Sequence, residues 1–315
     1  MKVGELTYRE FSKRLAQPGV TIKTDPFTVN VSSNLPLVSE GLYLLYADYQ
    51  LFTEHDNFVD FYVRVAAPRS IRRWFRPKVY FSYDGTMPFK PLPQQQALPV
   101  FEWGLNWCVA TSAHQYLMVH AAVIEKAGKA LIMPAPPGSG KSTLCAALVS
   151  KGWRLLSDEM ALIDRTTGLI VPAPRPISLK NESIEVIKAF APDFVFGPES
   201  DETHKGRVSH IKPPDSALEQ GCNAVEAAVV LFPKYEPASA TRIAPRDRAL
   251  TAIELAKNAF NFNALGQEGF ELLTKTIAAC ACYSLVYSDL DDVIARLEAL
   301  LIDDRDTPGV ALNGG

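Results

Sequence analysis

The longest apolar runs lie near the middle of the chain. Almost every position from Tyr116 to Ile124 is apolar, and Ala130–Met133 repeats the pattern after a short polar turn at Glu125–Lys129. Runs this short and this continuous predict two strands buried on both faces. The period then changes. Thr143–Lys151 reads as a helix closed by Gly152, a suitable residue just past a helix end. Arg154–Asp164 reads as one further strand, turning at Thr166-Thr167-Gly168. Upstream, Leu98, Phe101, Leu105, Cys108 and Ser112 recur at helical spacing and predict an amphipathic helix whose stripe packs on the next unit of the chain. Downstream, Ala224–Phe232 reads as a strand, and Arg246–Ala259, Glu268–Cys280 and Leu290–Leu300 as helices, the last capped by Asp289. Leu285–Tyr287 adds a short strand. Pro172–Pro214 is proline-bearing and irregular, apart from a helix at Glu182–Phe190.

Residues 1–95 read as a smaller, β-rich region after one short helix. Phe58–Val65 partly alternates, and Lys78–Tyr83 ends at Asp84-Gly85, a hairpin signal. Proline clusters at Pro88, Pro91 and Pro93, followed by Gln94–Gln96, which marks the boundary. The main domain then spans 96–304. The Gly- and Pro-bearing tail, 305–315, is expected to be flexible. No internal repeat or low-complexity tract interrupts this order.

Composition narrows the class. The 315 residues are 47% hydrophobic and 21% charged, with a mean hydropathy of 0.00, as expected of a folded soluble protein. The formal charge of −3 and pI near 6.0 offer nothing to a polyanion, so nucleic acid is not an expected partner. Met1–Gln17 has no apolar signal-peptide core, and no run approaches the ~18 apolar residues of a membrane span. Cys108, Cys145, Cys222, Cys280 and Cys282 make an odd set without a Cys-x-x-Cys pair, which reads as reduced thiols in a cytoplasmic protein.

The candidate chemistry starts where the second apolar strand ends. Ala135-Pro136-Pro137-Gly138-Ser139-Gly140-Lys141-Ser142-Thr143 lies between a predicted strand and a predicted helix, the setting a phosphate-binding loop needs. Glycines at 138 and 140 let successive N–H groups curl around one anion, and the helix N-terminus adds its dipole. Lys141 supplies a charge for the β- and γ-phosphates, and the Ser142 hydroxyl suits Mg²⁺. The loop pattern asks for glycine where Ala135 stands, which a negative φ would permit. The expected ligands are ATP and Mg²⁺.

Asp158 and Glu159 follow Lys141 by 17 and 18 residues. Alone they would read as a solvated strand end. Behind a phosphate loop they suit the two jobs a phosphotransferase gives to carboxylates, holding the metal and accepting the acceptor's proton. Neighbours on a strand point to opposite faces, so one should aim at the phosphates and one away. His120 lies on the strand one hairpin upstream. It reads as a core histidine or as a residue near the loop's phosphate-facing side.

These three features in order resemble the HPr kinase/phosphorylase family, whose core runs from a His-Gly strand through a phosphate loop to an Asp-Asp pair. The match covers roughly residues 115–170. Trp103-Gly-Leu-Asn-Trp107, Ser157-Asp-Glu159, Ser178-Leu-Lys-Asn181, Lys205-Gly206 and Asn258–Gly266 resemble the branch called HPr kinase-related protein A. The resemblance implies an α/β P-loop kinase core with a mixed sheet, related to phosphoenolpyruvate carboxykinase. It implies His120 near the γ-phosphate, Lys141 and Ser142 on phosphate and Mg²⁺, and Asp158 and Glu159 sharing the base and metal roles, with Asp158 favoured as base. The family's Glu-x-Arg-Gly-Leu-Gly motif has an echo in Glu202–Arg207, where Lys205 or Arg207 would steady the transferred charge. Its later arginine has no clear counterpart; Arg242, Arg246 and Arg248 are candidates.

The resulting expectation is an ATP-dependent kinase acting on a hydroxyl, Ser or Thr, of a small protein or peptide. The branch's association with PqqD-like peptide-binding proteins suggests such a partner, and the parent family's hexamers suggest homo-oligomers. A small-molecule kinase and a nucleotide-dependent switch with little catalysis are the alternatives.

Overall fold

The structure, a computed structural model, describes residues 1–52, 58–68, 75 and 77–303. The tail assigned to 305–315 lies outside the described residues. The chain begins with helix α1 (Tyr8–Ala16), which Thr7 and Glu10 start through a reciprocal capping box. Strands β1 (Val20–Lys23) and β2 (Thr28–Ser33), helix α2 (Pro36–Leu45), and strands β3 (Leu51–Phe52), β4 (Phe61–Ala66), β5 (Lys78–Tyr83) and β6 (Leu92–Pro93) come next. The six strands form one sheet in the order β3-β1-β2-β4-β5-β6. Backbone bonds in both directions between Tyr83 and Thr86 close the turn at Asp84-Gly85. The region holds a second helix, α2, that the apolar pattern does not announce.

Helix α3 (Ala97–Ser112) packs back on this sheet as well as on the unit C-terminal to it. Leu98, Phe101, Leu105 and Cys108 share one buried cluster with Phe61, Val63, Val65 and Phe81. The same cluster takes in Met118, Met160 and Leu162, so it crosses the proline-bearing segment.

The second sheet is built on the long strand β7 (Tyr116–Lys126). The chain continues through β8 (Lys129–Pro134), α4 (Lys141–Ser150), β9 (Arg154–Ser157), β10 (Met160–Asp164) and β11 (Ile170–Val171). Strand β12 (Ile177–Lys180), helix α5 (Glu182–Phe190), and strands β13 (Ser200–Thr203) and β14 (Gly206–Ile211) come next, then α6 (Asp215–Glu219). Strands β15 (Glu226–Tyr235) and β16 (Arg242–Pro245), helices α7 (Arg248–Lys257) and α8 (Phe262–Ala278), strand β17 (Ala281–Tyr287) and helix α9 (Leu290–Asp303) complete the order. The sheet runs β11-β10-β7-β8-β15-β17-β16, with β9 also on β7. Strands β8, β15 and β17 are parallel, whereas β7 and β16 run against their neighbours. The fold is therefore mixed α/β, with a mixed sheet.

Two expectations change here. Arg154–Asp164 is not one strand but two, β9 and β10, both antiparallel to β7 and separated by Asp158-Glu159. The span from Pro172 to Pro214 is not irregular: β12, β14 and β13 pair in a small antiparallel sheet. No described helix is long and apolar enough to cross a membrane.

Strand β7 divides its side chains by face, as strand geometry requires. Leu117, Val119, Ala121 and Val123 face a core closed by Leu255 of α7 and Leu272, Leu273 and Ile277 of α8. On the other face Ala122 and Ile124 pack under α4, with α5 and α9 beside it. Met118 belongs to the N-terminal cluster. His120 falls between Met118 and Ala122 on that face, at the seam between two cores.

Candidate active site

The loop from Ala135 to Gly140 leaves β8 beside β7, because Pro134 pairs with Ala121. Ala135 is buried and does not take a left-handed backbone, so the missing first glycine introduces no strain. Pro136, Pro137 and Gly138 are exposed, and Ser139 is buried. Gly138 and Gly140 have φ of 85° and 87°, which turn the chain into α4. Gly140 is the N-cap of α4, and no side chain caps that end. The Lys141 N–H reaches Ser139 Oγ at 3.4 Å, and the N–H groups of Ser142 and Thr143 that follow are left for an anion. Lys141, Ser142 and Thr143 form its first turn.

The acidic pair sits across β7 from the loop. Val123 pairs with Ser157 and His120 with Met160, so Asp158-Glu159 buckles out opposite Ala121-Ala122. Ser157 shapes this break, its Oγ accepting the N–H groups of Glu159 (3.3 Å) and Met160 (3.0 Å). The two acids do not diverge as strand neighbours would. Asp158 Oδ2 accepts the Ser142 hydroxyl at 3.2 Å and the Ser178 N–H at 3.1 Å. Lys141 Nζ donates to the Asp158 carbonyl oxygen at 2.6 Å. Glu159 Oε2 lies 3.4 Å from His120 Nε2, with side-chain exposures of 24% and 33%. His120, Lys141, Ser142, Asp158 and Glu159 therefore form one cluster.

Its electrostatics separate the two acids. Burial pushes the Asp158 carboxyl up; Lys141 opposes this and Glu159 adds to it. Burial acts the same way on Glu159, but the hydrogen bond with His120 and the charges of Lys141 and Lys180 outweigh it and hold that carboxyl low. Glu159 is the more readily ionised of the two, and Asp158 is the acid whose charge most needs a cation.

Of the two cations in the Glu202–Arg207 echo, Lys205 faces the site. It rests on the Trp103 ring at 4.9 Å, and burial, then Lys180, lower its pKa while Glu159 opposes them. Arg207 instead reaches Glu185 at 3.0 Å and Glu199 at 3.3 Å, away from the acids. Arg246 and Arg248 also lie elsewhere. Arg246 stacks on Phe232 at 4.0 Å and pairs with Glu254, and Arg248 Nε donates to the Cys280 carbonyl. They sit at the N-terminal end of β17, whereas its other end meets the loop through the Tyr287 hydroxyl, which donates to the Gly140 carbonyl at 3.0 Å. Arg242 is exposed on β16.

The segment Asn258–Gly266 also meets the site, extending the ladder where β8 stops. Asn261 Oδ1 accepts the Met118 N–H, its Nδ2 donates to the Tyr116 carbonyl, and the His120 N–H donates to the Asn258 carbonyl. Sequence reasoning misses Arg175 and His210, although both lie beside Asp158. An arginine framed by prolines at 174 and 176 is the available signal for the first; His210, within a short strand, gives none.

The donor set suits the expected ligands. Ser142 Oγ and the Asp158 carboxylate are adjacent oxygen ligands of the kind Mg²⁺ takes, and Lys141 with an uncapped helix start suits phosphate.

Residues 98–173, which hold the loop, His120 and the acidic pair, match the family described as SynChlorMet cassette protein ScmC. A search of the curated proteins gives no match. Among solved structures, the HPr(Ser) kinase/phosphatase from Coxiella burnetii matches at 12% identity, over 60% of this chain and 95% of that one, with a TM-score of 0.28.

Proposed function

We propose that the protein is an ATP-dependent phosphotransferase that moves the γ-phosphoryl group to a hydroxyl. The observation that carries this is the single cluster joining an uncapped helix start, Lys141 and Ser142 to Asp158 and the His120–Glu159 pair. The N–H groups at the start of α4 and Lys141 would hold the phosphates. Mg²⁺, when bound, would neutralise charge on the β- and γ-phosphates, and Ser142 and Asp158 are the residues to hold it. Asp158 is deeply buried and tied to Ser142, which favours the metal role over the base role that the resemblance implies. His120 and Glu159 are partly exposed, so an acceptor can reach them. Glu159 orients the imidazole, and His120 takes the hydroxyl proton as the new P–O bond forms and the γ-phosphorus parts from the β,γ-bridging oxygen, which leaves on ADP. Lys205 steadies the transferred charge.

The acceptor in this reading is a Ser or Thr of a small protein or peptide linked to a PqqD-like partner, as the resemblance implies, and the free cysteines suit a cytoplasmic setting. The test is incubation with γ-labelled ATP, Mg²⁺ and a cell lysate, comparing wild type with Lys141→Ala. Label on a protein or peptide with wild type alone supports the reading. Label confined to small molecules would make it a small-molecule kinase. ATP binding without any labelled product would sink the kinase assignment.

A further inference from the structure

Behind Asp158, on the side away from Ser142, a small chamber opens between three elements. Asn106 reaches it from α3, Arg175 and Ser178 from the segment entering β12, and His210 from β14, with Glu102 beside them. Asp158, Ser178 and His210 are 3, 6 and 1% exposed. Among the described residues, six buried atoms here have no hydrogen-bond partner: Asn106 Oδ1, Asp158 Oδ1, Arg175 Nη1, Ser178 Oγ and both ring nitrogens of His210. Glu102 forms an ion pair with Arg175 but no hydrogen bond to its Nη1. Its Oε2 stays 3.7 Å away, beyond hydrogen-bond range, and its Oε1 accepts the Tyr46 hydroxyl. Buried polar groups are almost always paired, so orphans around one space call for a common guest.

The wall specifies that guest. The Asn106 oxygen and the Asp158 carboxylate accept, and Arg175 donates. The Ser178 hydroxyl can do either. His210 is held neutral, at about 4, first by burial and then by Arg175, Lys180 and Lys205 against Glu159, so it offers one N–H and one lone pair. A metal ion would face the guanidinium and an imidazole N–H. A halide would face a carboxylate and an amide oxygen. Ammonium could not accept. Water donates two hydrogen bonds and accepts two, so one molecule can pair up to four of these six atoms, with one of the two His210 nitrogens, and the space admits a water-sized guest.

We propose that the chamber binds one ordered water hydrogen-bonded to Asp158 Oδ1, and that Asn106 and His210 are positioning residues for this carboxylate. Ser142 and the Ser178 N–H hold Oδ2 while the water holds Oδ1, so the carboxylate is fixed from opposite sides. Helix α3, which packs on the N-terminal sheet, thereby acts on the site. The consequence for metal binding rests on the metal role proposed for Asp158; the water does not.

Crystals of the full chain that diffract well enough to show ordered waters, soaked separately with bromide and with Mn²⁺, test the site. The expected result is one peak without anomalous signal, within hydrogen-bond distance of Asp158 Oδ1 and of Asn106 or His210, and lost in Asn106→Leu. A chamber closed wall to wall, or an anomalous bromide or manganese peak inside it, overturns the proposal. In solution, Mn²⁺ affinity of the ATP-loaded protein should fall about tenfold in Asn106→Leu and His210→Leu, the usual effect of losing a partner behind a ligand. His210→Gln, which keeps a donor and an acceptor, should restore it. Unchanged Mn²⁺ affinity with the water present overturns the positioning role. If wild type binds no ATP, the phosphotransferase reading and the metal claim fall together, and the density still decides the water.

Discussion

Gly140 joins the loop to the C-terminal strand, and its replacement by alanine tests that junction quantitatively. At φ 87° and ψ 2°, an alanine pays roughly 1–2 kcal/mol for the left-handed backbone. Its Cβ would stand 2.4 Å from Tyr287 Oη and 3.0 Å from Tyr235 Cβ. The phenol must therefore move and give up its 3.0 Å hydrogen bond to the Gly140 carbonyl. Leaving such a buried group unpaired costs about 1–3 kcal/mol. Together the loss is about 2–5 kcal/mol, a large share of the ~5–15 kcal/mol that holds a domain folded. Tyr287→Phe alone should cost about 0.5–1.5 kcal/mol, one hydrogen bond. In that background the hydroxyl is gone, and Gly140→Ala should cost little beyond the backbone share. The two changes should thus couple by about 1–3 kcal/mol, well above the ~0.5 kcal/mol expected of independent sites. Urea unfolding of the four proteins measures this. Additive losses, or a Gly140→Ala cost below about 1 kcal/mol, would refute the packing described.

Three further outcomes rest on particular contacts. His210 is held at about 4 in the fold against 6.5 unfolded, so the unfolded chain takes up the proton first as pH falls. The stability this confers is complete above pH 6.5 and is lost on descending through about 4, by about 3 kcal/mol. His210→Gln should flatten that part of the acid limb in urea titrations, and an unchanged limb would count against it. Asn261→Ala leaves the Met118 N–H and Tyr116 carbonyl unpaired, costs about 2 kcal/mol, and should accelerate hydrogen exchange at Met118; unchanged protection there would contradict the contact. Lys205→Met should slow phosphoryl transfer at least about tenfold. Arg207→Met, which breaks exposed pairs with Glu185 and Glu199, should leave transfer within about twofold, and equal losses would remove Lys205 from the site.

What could be read from the chain depended on burial. Strands β7 and β8 are covered on both faces, so their runs are apolar throughout and stand out. Helix α2 is hidden by the same cause. Val38, Gly41, Leu42 and Leu45 are buried, and a helix with so little polar face shows no clear period. Strands β12 and β14 are short, lie near prolines, and bury Ser178, Ser209 and His210, so neither shows an alternating pattern. Their pairing of Ile177 with Ile211 spans a helix and a loop that local spacing cannot bridge.

The residue types of the candidate site were legible, but not the geometry that gathers them. A continuous strand from Arg154 to Asp164 would send Asp158 and Glu159 to opposite faces. The interruption lets Asp158 meet Ser142 while Glu159 meets His120. Two residues on β7 face two in the gap, so a healed ladder would need no shift of register. What prevents healing is Ser157, whose hydroxyl takes the Glu159 and Met160 N–H groups. Ser157→Val removes that acceptor and adds a good strand former. The substitution should keep the unfolding free energy from urea titration within about 1 kcal/mol of wild type, because ladder hydrogen bonds replace those to Ser157. It should nevertheless part the two acids and abolish Mg²⁺-dependent phosphoryl transfer. A Ser157→Val protein as stable and as active as wild type would show that the break does not make the site.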